Sequence, residues 1–194
     1  MGCARGAERH GGCGLSHVRL PVAVTAEEVL DVVDEGDVVV GKATRGEIHR
    51  RGHRHRAVHV LVYDPAGRIY VQRRSWTKDC SPGLWDTSAA GHVDHGESYA
   101  AAARRELAEE LGVESSEPLQ LLFALAAAPA TGNEFVRVYR ALTSAPVVPD
   151  PNEIIDGRWL EPAALERWLS GEPAAFTRTF HLIWRQLKSD TTPA

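Results

Sequence analysis

The stretch GHVDHGESYAAAARRELAEELGV, Gly91 to Val113, constrains the fold more than any other part of this 194-residue chain. Residues 98–111 are helix formers, and Gly112 is a natural residue to follow a helix end. Stepping about 100° per residue from Arg105, Glu109, Glu106 and Glu110 fall near ~40°, ~100° and ~140°. Ala103, Ala100, Leu107 and Leu111 fall between ~160° and ~240°. One flank of the helix is therefore apolar and packs down. The adjoining flank holds three carboxylates within about a third of a turn. Like charges so placed repel by a few tenths of a kcal/mol, so a neutralising cation is expected among them. Hard divalent ions take oxygen ligands in this arrangement. The competing reading is a solvated face, with Arg104 or Arg105 paired to Glu109 along the helix.

The rest of the chain narrows the classes of function. A net charge of -4 leaves no basic field that would hold nucleic acid nonspecifically. No apolar run is long enough to span a membrane, and the first residues lack an apolar signal core. Three cysteines argue against a disulfide framework, and the expected location is cytoplasmic. The length suits one domain, expected over residues 21–190. Residues 1–20, MGCARGAERHGGCGLSHVRL, are Gly-rich, lack periodicity and read as a disordered tail. Within them Cys3, His10, Cys13 and His17 match no familiar zinc-finger spacing. The sequence carries no signal of oligomeric state.

Strand and helix patterns alternate along the domain. DVVDEGDVVVGKA reads as strand, turn at Glu35-Gly36, strand. AVHVLVYDPAGRIYVQRR reads as a hairpin around Asp64-Pro65-Ala66-Gly67. PLQLLFALAAA and EFVRVYRALT read as strands around a loop at Thr131–Asn133, and IDGRWL as a short strand. EPAALERWLSG begins with Pro in the first turn and stops at Gly, as a helix does. AAFTRTFHLIWRQLK is a closing helix with apolar residues at helical spacing. Together they predict an α/β/α sandwich, a mixed β-sheet with helices on both faces.

The spacing in the acidic stretch carries a resemblance. Gly91, five residues, Glu97, seven residues, then Arg105-Glu106-Leu107, one residue, Glu109-Glu110, one residue, Gly112-Val113 match all nine specified positions of the Nudix signature. A chance match is on the order of one in a billion per starting position on average residue usage. The chain thus resembles the Nudix hydrolases, and the resemblance implies an enzyme that cleaves a small-molecule diphosphate with Mg²⁺ or Mn²⁺. It implies Glu109 and Glu110 as metal ligands, helped by the backbone carbonyl of Gly91. Glu106 is then a further ligand or the general base. Arg105 orients the carboxylates, with Glu97 as its salt-bridge mate, and Gly112 ends the helix.

A second resemblance spans residues 29–165 and is to the isopentenyl-diphosphate isomerase branch of the same superfamily. It rests on His55-Arg56-Ala57 before a strand, Gln72-Arg73-Arg74-Ser75 after the hairpin, Lys78, Pro82-Gly83-Leu84-Trp85, and Gly91-His92. It implies that Arg74 and Lys78 contact the diphosphate, that His55 and His92 stand at metal-ligand positions, and that Glu134 stands at a catalytic and metal-binding position. A further histidine of that site aligns with Ile48 rather than His49. The branch carries a catalytic Cys before Gly-His; here that residue is Ala90, with Cys80 in an earlier loop. The partner of Glu134 is reduced to Gly132. An intact box without the thiol favours hydrolysis. Isomerase activity and a noncatalytic ligand-binding module are the alternatives.

Other residues admit two readings each. HRRGHRHR, His49 to Arg56, is either a solvated basic loop or a rim that attracts phosphate. Glu153 is either a late metal ligand or a loop carboxylate capping the next element. Trp85, Trp159 and Trp184 fit the core better than a base-stacking role.

Overall fold

The computed structural model describes residues 27–115 and 118–191. The expected tail, with Cys3, His10, Cys13 and His17, lies outside the described residues.

Strands β1 (Val29–Val33) and β2 (Val39–Thr44) pair antiparallel as a separate two-stranded sheet. Their turn is organised by Asp34, whose Oδ1 accepts from the N–H groups of Gly36 at 2.8 Å and Val38 at 3.0 Å. Asp37 at the turn's end binds Arg56 Nε at 2.6 Å and the Tyr99 hydroxyl at 2.9 Å, which ties the hairpin to the domain. Helix α1 (Arg45–Arg51) follows, capped by Thr44 and closed by Gly52 at a φ of 65°. The sequence reading had a basic loop from His49. A helix forms because Thr44 caps it, Glu47 pairs with Arg51 one turn on, and Ile48 is completely buried.

The main sheet is built on β3 (His55–Tyr63), which lies parallel to β8 (Glu134–Leu142) and antiparallel to β6 (Ala89–His92). Strand β7 (Gln120–Leu125) extends it beyond β8. Strand β4 (Ile69–Arg74) pairs with β5 (Trp85–Asp86) and β9 (Ile154–Leu160). The predicted turn between β3 and β4 is present, with Asp64 accepting from Arg68 N at 2.8 Å. The expected hairpin, however, pairs only at Tyr63 and Ile69. Beyond that rung β3 turns to β6 while β4 turns to β9, and the sheet divides. Both strands satisfy their backbone groups with other partners.

Helix α2 (Tyr99–Leu111) covers one face, packing against Val58, Val60 and Val62. Helices α3 (Pro162–Gly171) and α4 (Arg178–Thr191) cover the other, over Leu61, Val71, Val136 and Val138. The result is an α/β/α sandwich around a mixed sheet. Trp85 and Trp184 are buried in the second core, and Trp159 is half-buried against Tyr70. The buried flank of α2 departs from the expectation. Ala100, in the first turn, is exposed, whereas Tyr99, Ala102, Ala103, Glu106, Leu107, Glu110 and Leu111 are buried. The helix is rolled so that two of its carboxylates face the sheet. Among the described residues no helix is long and apolar enough to cross a membrane.

Candidate active site

A cavity of about 600 Å³ is lined from β3, β6, the ends of β4 and β5, and α2. On the α2 side, the Arg105 guanidinium holds three acids together. It donates to Glu97 at 2.9 and 3.2 Å, to Glu106 at 2.6 Å and to Glu109 at 3.1 Å, and to the His92 carbonyl at 3.0 Å. Burial opposes its charge, but the bonds to Glu97 and Glu106 hold it firmly protonated. Helix α2 starts at Ser98, which caps Ala101 N, and ends at Gly112 with a φ of 63°. Gly91 lets the helix come close. A Cβ on it would fall within 3.0 Å of Glu106 Cδ and of both carboxylate oxygens.

Glu110 sits where β4 and β6 part, accepting from Gln72 Nε2 at 2.9 Å and from Ala90 N at 3.1 Å. Burial, and then the neighbouring Glu106 charge, push its carboxyl up to about 7. Burial also raises Glu106, against the pull of Arg105. Two buried acids held above their ordinary range are short of positive charge, which is how residues that take a hard cation behave without one. Cations face them across the cavity. Lys78 contacts Glu153 and is held below its ordinary range by burial, with Glu110 opposing. Arg74 donates to the Cys80 carbonyl at 3.1 and 3.2 Å and lies 3.5 Å from Asp86. Glu153 therefore faces this cavity, and the capping reading is not what the fold makes of it; Asp150 organises that turn instead, through Asn152 N at 2.9 Å.

A second group of ligand-type side chains lines the same cavity. The rings of His49, His55 and His92 lie 5.1–5.3 Å apart, with one ligand nitrogen from each within 4.8 Å of the others. Glu134 Oε1 stands 3.6 Å from His55 Nε2 and from His92 Nε2. His55 Nδ1 is taken by the His53 carbonyl at 3.0 Å, and His55 Nε2 is buried with no hydrogen-bond partner. An orphaned imidazole nitrogen among two others and a carboxylate fits a cation. Burial opposes protonation of His92, but Glu134 and Glu28 raise it to about 9, and the same histidines hold Glu134 far below its ordinary range against burial.

The alignment that put Ile48 at the further histidine position is corrected here. Ile48 points into the core, while His49, about 100° further round α1, meets the other two rings. Cys80 also reaches this cavity, with its sulfur 3.7 Å from His49 Nδ1, although its loop is distant from Ala90 in the chain.

The sequence-predicted residues Arg74, Lys78, Gly91, Arg105, Glu106, Glu109, Glu110 and Glu134 all line the cavity. Glu97 stands behind them on Arg105, and Gly112 lies at the far end of α2. Glu28, Arg45, His59 and Asp86 also line it and were not picked out from the sequence. Glu28 binds His92 Nδ1 at 3.0 Å from a strand 64 positions away, and no local pattern marks such a contact.

A NUDIX domain family model matches residues 53–180. An uncharacterized Nudix hydrolase of Streptomyces coelicolor is 41% identical over 143 residues, covering 73% of this chain and 79% of its own. An isopentenyl-diphosphate Delta-isomerase of Nocardia farcinica is 40% identical over 153 residues, covering 76% and 87%. The crystal structure of DR0079 from Deinococcus radiodurans superposes with a TM-score of 0.72 at 33% identity, covering 82% of this chain and 98% of that one.

Proposed function

The chain belongs to the Nudix family, and from that premise we propose that it hydrolyses the diphosphate linkage of a small organic diphosphate with Mg²⁺ or Mn²⁺. The observation that carries the reading is the sharing of one cavity by Glu106, Glu109 and Glu110 with Arg74 and Lys78. Glu109, Glu110 and the Gly91 carbonyl would hold the cation, with Glu106 as a further ligand or as the base. Such a cation supplies charge neutralisation at the phosphates and eases deprotonation of the attacking water.

The chain's own residues do the rest. Arg74 and Lys78 bind the diphosphate oxygens from the opposite wall. Arg105 keeps Glu106 and Glu109 aimed at one place. A free box carboxylate takes the proton from the water as phosphorus is attacked. His55, His92 and Glu134, joined by His49, would hold a second cation, which the orphaned His55 Nε2 supports.

The isomerase relatives favour a second reading, and the histidine group supports it. Against it, Ala90 has no proton to give and Gly132 has no carboxylate. A noncatalytic module would have no use for buried acids that destabilise the metal-free domain. A panel of nucleoside diphosphates, nucleotide sugars, dinucleotides and prenyl diphosphates, assayed for phosphate or nucleotide release with Mg²⁺, tests the proposal. Turnover should vanish with EDTA and return with added metal. Undiminished turnover in metal-free buffer would sink the mechanism.

A further inference from the structure

One wall of the cavity is the face of β3 that presents His55, Ala57 and His59. At about 3.3 Å per residue, His59 stands ~13 Å along the strand from His55. That stretch exceeds what a diphosphate occupies, so the organic group of the substrate has room toward His59. Its surroundings there are polar and buried. His59 Nδ1 lies 2.7 Å from Thr87 Oγ1, which leaves Nε2 as the nitrogen that a bound group can meet. Asp86 Oδ1 accepts from Thr87 N at 2.8 Å and Thr177 Oγ1 at 3.0 Å, and Oδ2 faces Arg74 at 3.5 Å. Ala90, the cross-strand neighbour of His59, takes up little space.

The composition of the wall excludes two substrate types. Among the described residues, none that lines the cavity is Phe, Tyr, Trp, Leu, Ile, Val or Met, and Ala57 and Ala90 are the aliphatic ones. An enclosed nucleobase needs a flat face to stack on, and a prenyl chain needs apolar walls. Trp76 is exposed nearby, but its ring lies over Gly83 and Arg73 rather than in the wall. Hydroxyl groups, by contrast, match these partners, since an imidazole nitrogen, a carboxylate and a threonine hydroxyl offer both donors and acceptors.

We propose that His59, Asp86 and Thr177 form a hydroxyl-recognising subsite, so that the substrate is a diphosphate carried on a small polyhydroxylated group such as a sugar. The diphosphate end of this assignment rests on the hydrolase reading; the subsite does not. With ribose 5-diphosphate, water attack would break the phosphoanhydride bond and give ribose 5-phosphate, inorganic phosphate and a proton.

The test compares ribose 5-diphosphate, ADP, isopentenyl diphosphate and inorganic diphosphate. Hydrolysis is followed with Mg²⁺, and binding by calorimetry with Ca²⁺. ADP differs from the first compound by its base. Ribose 5-diphosphate should bind best and show the highest kcat/KM. His59→Leu should lower both at least tenfold more for ribose 5-diphosphate than for inorganic diphosphate, and His59→Gln should recover part of the loss by restoring a hydrogen-bonding group. Preferential binding of ADP or isopentenyl diphosphate, or an equal loss across all four in a folded His59→Leu protein, would overturn the subsite. His59-dependent binding without hydrolysis would overturn the hydrolase reading and leave the subsite standing.

Discussion

Replacing Gly91 with alanine adds one methyl group where α2 comes closest to the sheet. The new Cβ would lie within 3.0 Å of Glu106 Cδ and both carboxylate oxygens, whereas ordinary contact begins at 3.4 Å. Glu106 has little freedom to yield, being only 9% exposed and held by Arg105 at 2.6 Å. Overpacking at such a point costs roughly 1–3 kcal/mol. Glycine to alanine in a strand without a clash would instead stabilise by about 0.5–1 kcal/mol, so the sign alone separates the two cases. The carboxylate must retreat by about 1 Å, and a displacement of that size in a catalytic constellation costs on the order of 10²-fold in rate. Urea denaturation of the metal-free protein and initial rates across a Mg²⁺ titration measure both. A Gly91→Ala protein as stable as the parent, with the same Mg²⁺ half-saturation and rate, would refute the close approach and the role given to Glu106.

Three further outcomes are expected. Glu110→Gln should stabilise the metal-free protein near pH 8 while lowering the rate about 10²-fold or more, because it removes a buried charge and a metal ligand together; unchanged turnover would remove Glu110 from the ligand set, and Glu109→Gln should show the loss in rate. Metal-free melting temperature should fall from about pH 5 to about pH 9. Glu110, raised from 4.5 to about 7, contributes stability that is full below 4.5 and lost as pH passes 7, and His92, raised from 6.5 to about 9, contributes stability lost toward 9. The first alone is worth on the order of 3 kcal/mol, and Mg²⁺ should restore much of it at the alkaline end; a flat or rising profile contradicts this. Isopentenyl diphosphate with Mg²⁺ should give no dimethylallyl isomer, with only a trace after Ala90→Cys, and robust isomerisation by the unmodified protein would reverse the reading of Ala90.

The layers of the fold and the acidic box were legible because each rests on local pattern. Helix α2 announces itself through Ser98, its apolar spacing and Gly112, and the box through fixed intervals along one helix. What the sequence concealed depends on distant pairing. The β3–β4 turn is written in Asp64-Pro65-Ala66-Gly67, but the parting of the strands depends on β6, β8 and β9 competing for their edges. The roll of α2 that exposes Ala100 and buries Glu110 is set by Gln72 and Ala90, which no helical wheel contains. His49 was misjudged by one position because alignment was read as if its segment were extended, and a helix turns each neighbour by about 100°. The niche at Asp86 needs Thr177, 91 positions further on.

His55 and Glu134 are Cα partners at the opening rung of the parallel β3–β8 ladder. Side chains alternate along a strand, so a slip of one residue would turn Glu134 to the opposite face. The valines of β3 discriminate poorly against such a slip, because both faces of the strand are buried and an apolar run shifted by one remains apolar. The polar rung does discriminate, since an ionised carboxylate stranded in the wrong layer loses its histidines and keeps its desolvation penalty. The groups suited to holding a cation therefore also act as a folding checkpoint, and a misaligned sheet is rejected by its own chemistry before any substrate arrives.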